Sequence, residues 1–138
     1  FGPRQDPKSQ YSAVIPLFIT AVMEGRRPTI YGDGSQTRDF TYVANNVQAN
    51  ILAATTTKDV AGKIFNIACG KSYSVLDLFK AINEALGKNI KPIFSPARKG
   101  DVKHSLADIS LAREMLNYKV EVDFTEGIKR TVEWYSKN

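Results

Sequence analysis

Apolar residues recur at helical spacing from Tyr11 to Glu24. Val14, Ile15, Phe18, Ile19 and Val22 share one face, which predicts an amphipathic helix. Pro16 falls in its first turns, where a missing N–H costs little, and Gly25 supplies a stop. Thr29–Tyr31 reads as a short strand, followed by the turn Gly32-Asp33-Gly34, because glycine reaches positive φ without steric cost. The run Thr37–Val43, with Phe40, Thr41 and Tyr42, predicts a second strand. Asn45 or Asn46 is then expected to cap a helix ending near Ala54, with Val47, Ala49, Ile51 and Leu52 as its apolar face.

Farther along, Lys63–Ala68 is a short apolar run ending at Gly70, the pattern of a strand buried on both faces of a sheet. Ser74 is expected to cap a helix over Val75–Leu86, with Asp77 favouring its dipole and Gly87 ending it. Ile90–Phe94 predicts another strand, Pro96–Asp108 an irregular polar segment, Ile109–Leu116 a short helix and Thr125–Ser136 a last amphipathic helix. Residues 1–10 hold Gly2, Pro3, Asp6, Pro7 and Ser9 and read as loop. The class is α/β. No repeat, low-complexity tract or Pro/Ser-rich linker divides the chain.

The 138 residues are enough for one domain with a real core, and 43% hydrophobic with 24% charged is ordinary globular composition. A net charge of +5 fits anionic partners, and it fits a solvated surface equally well. Lysines and arginines are scattered, so there is no basic arm, and no helix-turn-helix or RNA-binding pattern supports a nucleic-acid module. Cys69 stands alone beside Ile67 and Ala68, so a buried thiol and a reducing, cytoplasmic setting are expected. No apolar run approaches the roughly 20 residues of a membrane span. The chain opens on Phe1 and its first methionine is Met23, which reads as a piece of a longer protein.

Candidate chemistry centres on Arg38 and Arg98, each beside a turn. An arginine so placed can grip a phosphate through two parallel hydrogen bonds, and two of them can clamp a diphosphate. The competing reading gives each an ion pair with a nearby carboxylate, Asp39 or Asp101. Asp101 can accept from a sugar hydroxyl or cap a turn. Tyr11, Tyr31 and Phe40 can stack on a base or belong to the core. His104 is the single histidine and has no placed partner for acid–base work. One Cys and one His make no metal-ligand spacing.

Several segments, taken together, resemble the C-terminal part of the extended short-chain dehydrogenase/reductase family, the nucleotide-sugar epimerases and dehydratases. They are Phe1–Pro7, Tyr11–Pro16, Ile30–Phe40, Phe65–Gly70, Arg98–Asp108 and Glu126–Tyr135. Within that family the chain is similar to the UDP-glucose and UDP-N-acetylglucosamine 4-epimerases. A 4,6-dehydratase or a UDP-glucuronate decarboxylase would share the same scaffold. The resemblance implies that residues 1–138 form the UDP-sugar-binding portion of an NAD-dependent enzyme of Rossmann type. Arg38 and Arg98 would bind the UDP diphosphate and Asp101 the uridine ribose. Thr29 and Tyr31 would frame the uracil, and Ala13 and Val14 would line the nucleotide or sugar side.

In that family a Tyr-x-x-x-Lys pair acts on the C4 hydroxyl and a GxxGxxG loop cradles the NAD pyrophosphate. Neither motif occurs here. No catalytic or metal residue is therefore carried over, and the chain by itself is expected to be inactive. The resemblance further implies a homodimer for the full-length enzyme, and self-association for this portion through Ile64–Ala68 and the helix before it. After Tyr42-Val43 the family has an aspartate at one or both of the next positions, whereas here they are Ala44 and Asn45.

Overall fold

Three amphipathic helices enclose the larger core of the chain, whose computed structural model describes residues 1–9 and 14–138. They are α1 (Val14–Met23), α3 (Val75–Leu86) and α5 (Phe124–Lys137), joined in the chain by α2 (Val43–Thr55) and α4 (Ser110–Leu116). Ile15, Phe18, Ile19 and Val22 of α1 meet Leu78, Phe79 and Ile82 of α3 and Phe124, Ile128 and Val132 of α5. Each such side chain, fully buried, contributes about 1.5–3 kcal/mol. The Phe18 and Phe79 rings meet edge to face, 5.9 Å apart. The start of the expected first helix and Ala13 lie outside the described residues.

The local signals for α3 act as expected. Ser74 Oγ accepts from the Asp77 N–H at 3.0 Å, and the Asp77 carboxylate accepts from the Ser74 N–H at 2.9 Å. Gly87 ends the helix at φ 62°, a left-handed conformation that glycine takes without strain. In α5, Gly127 is needed for space. A Cβ there would lie 2.9 Å from the Phe1 ring and 3.0 Å from Tyr42 Cβ.

Two small sheets organise the surface. β1 (Thr29–Tyr31) pairs in parallel with β4 (Ile93–Ser95), and β2 (Thr37–Arg38) pairs antiparallel with β3 (Tyr73–Ser74). A second core, Ala49, Ala68, Ile109, Ala112, Leu116 and Tyr118, sits between α2 and α4. No described helix is long and apolar enough to cross a membrane.

Several expectations are corrected. The second strand stops at Arg38. Its next residue, Asp39, turns its carboxylate to the N–H groups of Cys69 and Gly70, at 2.9 and 2.8 Å, instead of continuing a ladder. Neither Asn45 nor Asn46 caps α2, which begins at Val43 after Tyr42. Asn45 lies inside the helix, fully buried. Its amide donates to the Val122 carbonyl at 2.7 Å, and its oxygen accepts from the Glu121 and Val122 N–H groups at 3.1 Å.

Lys63–Ala68 is not a strand. It has no ladder partner among the described residues, and Ile64 is 87% exposed. The expected apolar face of α2 is divided. Ala49 is buried, while Val43, Val47 and Ile51 form an outward stripe with Val47 54% and Ile51 57% exposed. Ile90 is kept out of β4 because Asn83 takes both its backbone groups, at 3.0 and 3.2 Å. Cys69 is buried as expected, and that burial, with Asp39 nearby, pushes its thiol pKa up.

Candidate functional site

β1, the first half of α1, Gln36 and Arg38 beyond the glycine turn, and the loop after β4 border one cleft of about 410 Å³. Its construction begins with backbone chemistry. Gly32 and Gly34 both adopt positive φ, 76° and 78°, so the chain reverses immediately after β1. Asp33 Oδ1 accepts from the Ser35 N–H at 2.9 Å and from its hydroxyl at 2.6 Å. These bonds close an Asx turn and hold the Asp33 carboxyl below its ordinary pKa. Gln36 Nε2 donates to the Tyr31 carbonyl at 2.7 Å, tying the far side of the turn back to β1.

β2 then delivers Arg38 to the cleft. Its Nη1 donates to the Thr37 carbonyl at 2.8 Å and its Nη2 to Asp101 Oδ1 at 2.6 Å. Arg98 arrives on the loop after β4, with its guanidinium carbon 3.9 Å from the centre of the Tyr31 ring. Thr37 fastens the same loop to β2. Its N–H donates to the Lys103 carbonyl at 2.8 Å, and its own carbonyl accepts from the Ser105 N–H at 3.1 Å. The Thr37 hydroxyl lies 3.0 Å from His104 Nδ1.

Six of the seven residues singled out from sequence, Val14, Thr29, Tyr31, Arg38, Arg98 and Asp101, line this cleft. The seventh, Ala13, is outside the described residues. The ion-pair reading holds for Arg38, which pairs with Asp101, and fails for Arg98. Arg38 meets Asp101 rather than Asp39, and Arg98 meets an aromatic ring rather than Asp101.

Sequence reasoning missed Phe18, whose ring also lines the cleft, together with Gln36 and the Thr37 tether. Phe18 was legible only as a core residue, and it is that too. The spacing of Gln36 and Thr37 beside Arg38 marks them as neighbours of the site, but their partners are far along the chain.

Chemically, the cleft offers two guanidinium groups, one carboxylate and an aromatic face. It suits an anionic ligand that also carries hydroxyls and a flat ring. No group of three metal-ligating side chains occurs among the described residues.

Residues 1–131 match the family described as GDP-mannose 4,6 dehydratase. A putative UDP-glucose 4-epimerase of Methanocaldococcus jannaschii is 40% identical over 138 residues, covering 100% of this chain and 43% of its own length. The structure of UDP-glucose 4-epimerase from Thermotoga maritima, solved with UDP-glucose, superposes with a TM-score of 0.91 at 38% identity, covering 99% of this chain and 43% of that one. The UDP-glucuronic acid 4-epimerase of Bacillus cereus, solved with UDP-glucuronic acid and NAD, gives a TM-score of 0.89 at 31% identity, covering 99% and 42%. A dTDP-glucose 4,6-dehydratase and a UDP-N-acetyl-alpha-D-glucosaminuronate decarboxylase are similar too. The chain thus spans about two-fifths of the length of the curated relatives it matches, as an α/β portion of extended short-chain dehydrogenase/reductase enzymes.

Proposed function

We propose a UDP-sugar-binding role for this chain, which belongs to the GDP-mannose 4,6 dehydratase family, the NAD-dependent nucleotide-sugar epimerases and dehydratases. Residues 1–138 are read as the C-terminal, UDP-sugar-binding portion of a 4-epimerase. The observation that carries the reading is the meeting of Arg38, Arg98 and Asp101 around one cleft beside Thr29 and Tyr31.

Arg38 and Arg98 grip the diphosphate from two sides, each guanidinium offering paired donors. Asp101 accepts hydrogen bonds from the ribose hydroxyls. Thr29 and Tyr31 frame the uracil, while Val14 and Ala13 line the side toward the sugar.

In such an enzyme bound NAD supplies the acceptor and donor for the hydride of sugar C4. This chain holds neither a GxxGxxG loop nor a Tyr-x-x-x-Lys pair, so its residues do not fit the dinucleotide and carry no step of hydride transfer. Their work is to bind and orient the nucleotide sugar. The cytoplasm, galactose metabolism and a homodimeric whole enzyme complete the proposal.

A 4,6-dehydratase or a sugar-nucleotide decarboxylase is the second reading, favoured by 35% identity to the dTDP-glucose 4,6-dehydratase of an Actinoplanes species. Calorimetric titration with UDP, UDP-glucose, UDP-N-acetylglucosamine and dTDP tests the site. UDP and its sugars should bind more tightly than dTDP, and absence of any binding would refute the reading. Added UDP-galactose and NAD⁺ should give no turnover with this chain alone.

A further inference from the structure

We propose that Asp101 tunes the specificity of the cleft by competing with bare phosphates for Arg38 and yielding it to ligands that carry a sugar diol beside the diphosphate. The proposal rests on the nucleotide-site reading above. The Arg38 guanidinium already has partners on both terminal nitrogens, the Thr37 carbonyl at 2.8 Å and Asp101 Oδ1 at 2.6 Å. A phosphate that grips Arg38 through both terminal nitrogens must therefore compete with the Asp101 carboxylate for Nη2.

That carboxylate cannot retreat far. Lys103, two residues on, is bonded through its carbonyl to the Thr37 N–H, and Ser105 N–H returns to the Thr37 carbonyl. His104 Nδ1 lies against the Thr37 hydroxyl at 3.0 Å. The Asp101 N–H itself closes a turn on the Arg98 carbonyl at 3.2 Å. Once released from Arg38, Asp101 stays on the lining of the cleft, three residues beyond Arg98 along the chain.

The consequence differs between ligands. Inorganic pyrophosphate exchanges its own charge for that of Asp101 and leaves an unpaired carboxylate beside a second anion, which is repulsive at this distance. A nucleoside diphosphate brings hydroxyls that donate to the freed carboxylate, so the exchange conserves its hydrogen bonds. Discrimination of this kind comes from a repulsive element built into the site rather than from stronger attraction to the right ligand.

The test uses the protein with UDP and with inorganic pyrophosphate as separate probes, in the wild type, Asp101→Asn, Asp101→Ser and Arg38→Ala. Removing the charge at Asp101 should tighten pyrophosphate binding by up to about fivefold, because a part-exposed ion pair no longer competes for Arg38. UDP affinity should stay level or fall, so that the UDP-to-pyrophosphate preference shrinks. Unchanged or weaker pyrophosphate binding in both Asp101 variants, with a wild-type circular dichroism spectrum, would overturn the proposal while leaving the nucleotide site intact. Equal UDP binding by Arg38→Ala and wild type would instead overturn the nucleotide-site reading, and this proposal with it.

Discussion

Arg38→Ala and Arg98→Ala should weaken UDP binding unequally, and the structure gives the order. A charge-assisted hydrogen bond to phosphate contributes about 1.5–3 kcal/mol, or roughly tenfold to a hundredfold in affinity. Arg98 lies over the Tyr31 ring, and no carboxylate among the described residues pairs with it. With its face kept on the ring it surrenders no ion pair when its N–H edge meets a phosphate, so Arg98→Ala should cost the whole contact. Arg38 must first leave Asp101, in a pair whose side chains are 30% and 41% exposed. Screening by water limits such a pair to about 0.2–1 kcal/mol.

Subtracting that from the phosphate contact leaves roughly 0.5–2.8 kcal/mol for Arg38→Ala, or about twofold to a hundredfold. Lysine at either position should recover only part of the loss, because a single ammonium lacks the two-pronged geometry. Isothermal titration with UDP at fixed ionic strength measures all four variants. Wild-type affinity in both alanine variants would refute the clamp. A larger loss for Arg38→Ala than for Arg98→Ala would refute the competition argument.

Three further outcomes are expected. Sedimentation should reveal concentration-dependent self-association through the outward stripe of Val43, Val47 and Ile51 and the exposed Ile64, which Val47→Glu with Ile51→Glu should abolish. A strict monomer at high concentration would contradict this. Asn45→Leu strands the Val122 carbonyl and the Glu121 and Val122 N–H groups, so urea denaturation should register a loss of about 3 kcal/mol or more, and a loss under 1 would show these groups to be water-exposed. The Asp77 carboxyl is held below its ordinary pKa by its bonds to Ser74. Its stabilisation is therefore full above the unfolded value of 3.8 and lost as pH falls through the lower folded value, so Asp77→Asn should flatten the acid limb of a stability–pH curve.

Much of the secondary structure was legible because its causes are local. The capping box Ser74–Asp77, the stop at Gly87 and the helical spacing of Val14 to Val22 each act within one or two turns of chain, and the helices form where those signals stand. The same holds for the glycine turn after β1, since positive φ is a property of the residue itself. The cluster of site residues was legible for a different reason. Their identity in order along the chain resembles a family, and the periodicity alone left Arg38 and Arg98 open between phosphate grips and ion pairs.

Tertiary structure decided the pairings, because they join residues far apart in sequence. Arg38 meets Asp101 across 63 residues, and Asn45 meets Val122 across 77. A polar residue near a helix start reads as a cap until a distant backbone offers it three partners. An apolar run such as Lys63–Ala68 reads as a strand, yet no other strand among the described residues lies beside it; a ladder needs two edges and the chain's own pattern specifies only one. The stripe of α2 obeys the same rule: periodicity marks which residues share a face, and only the surrounding fold determines whether that face is covered.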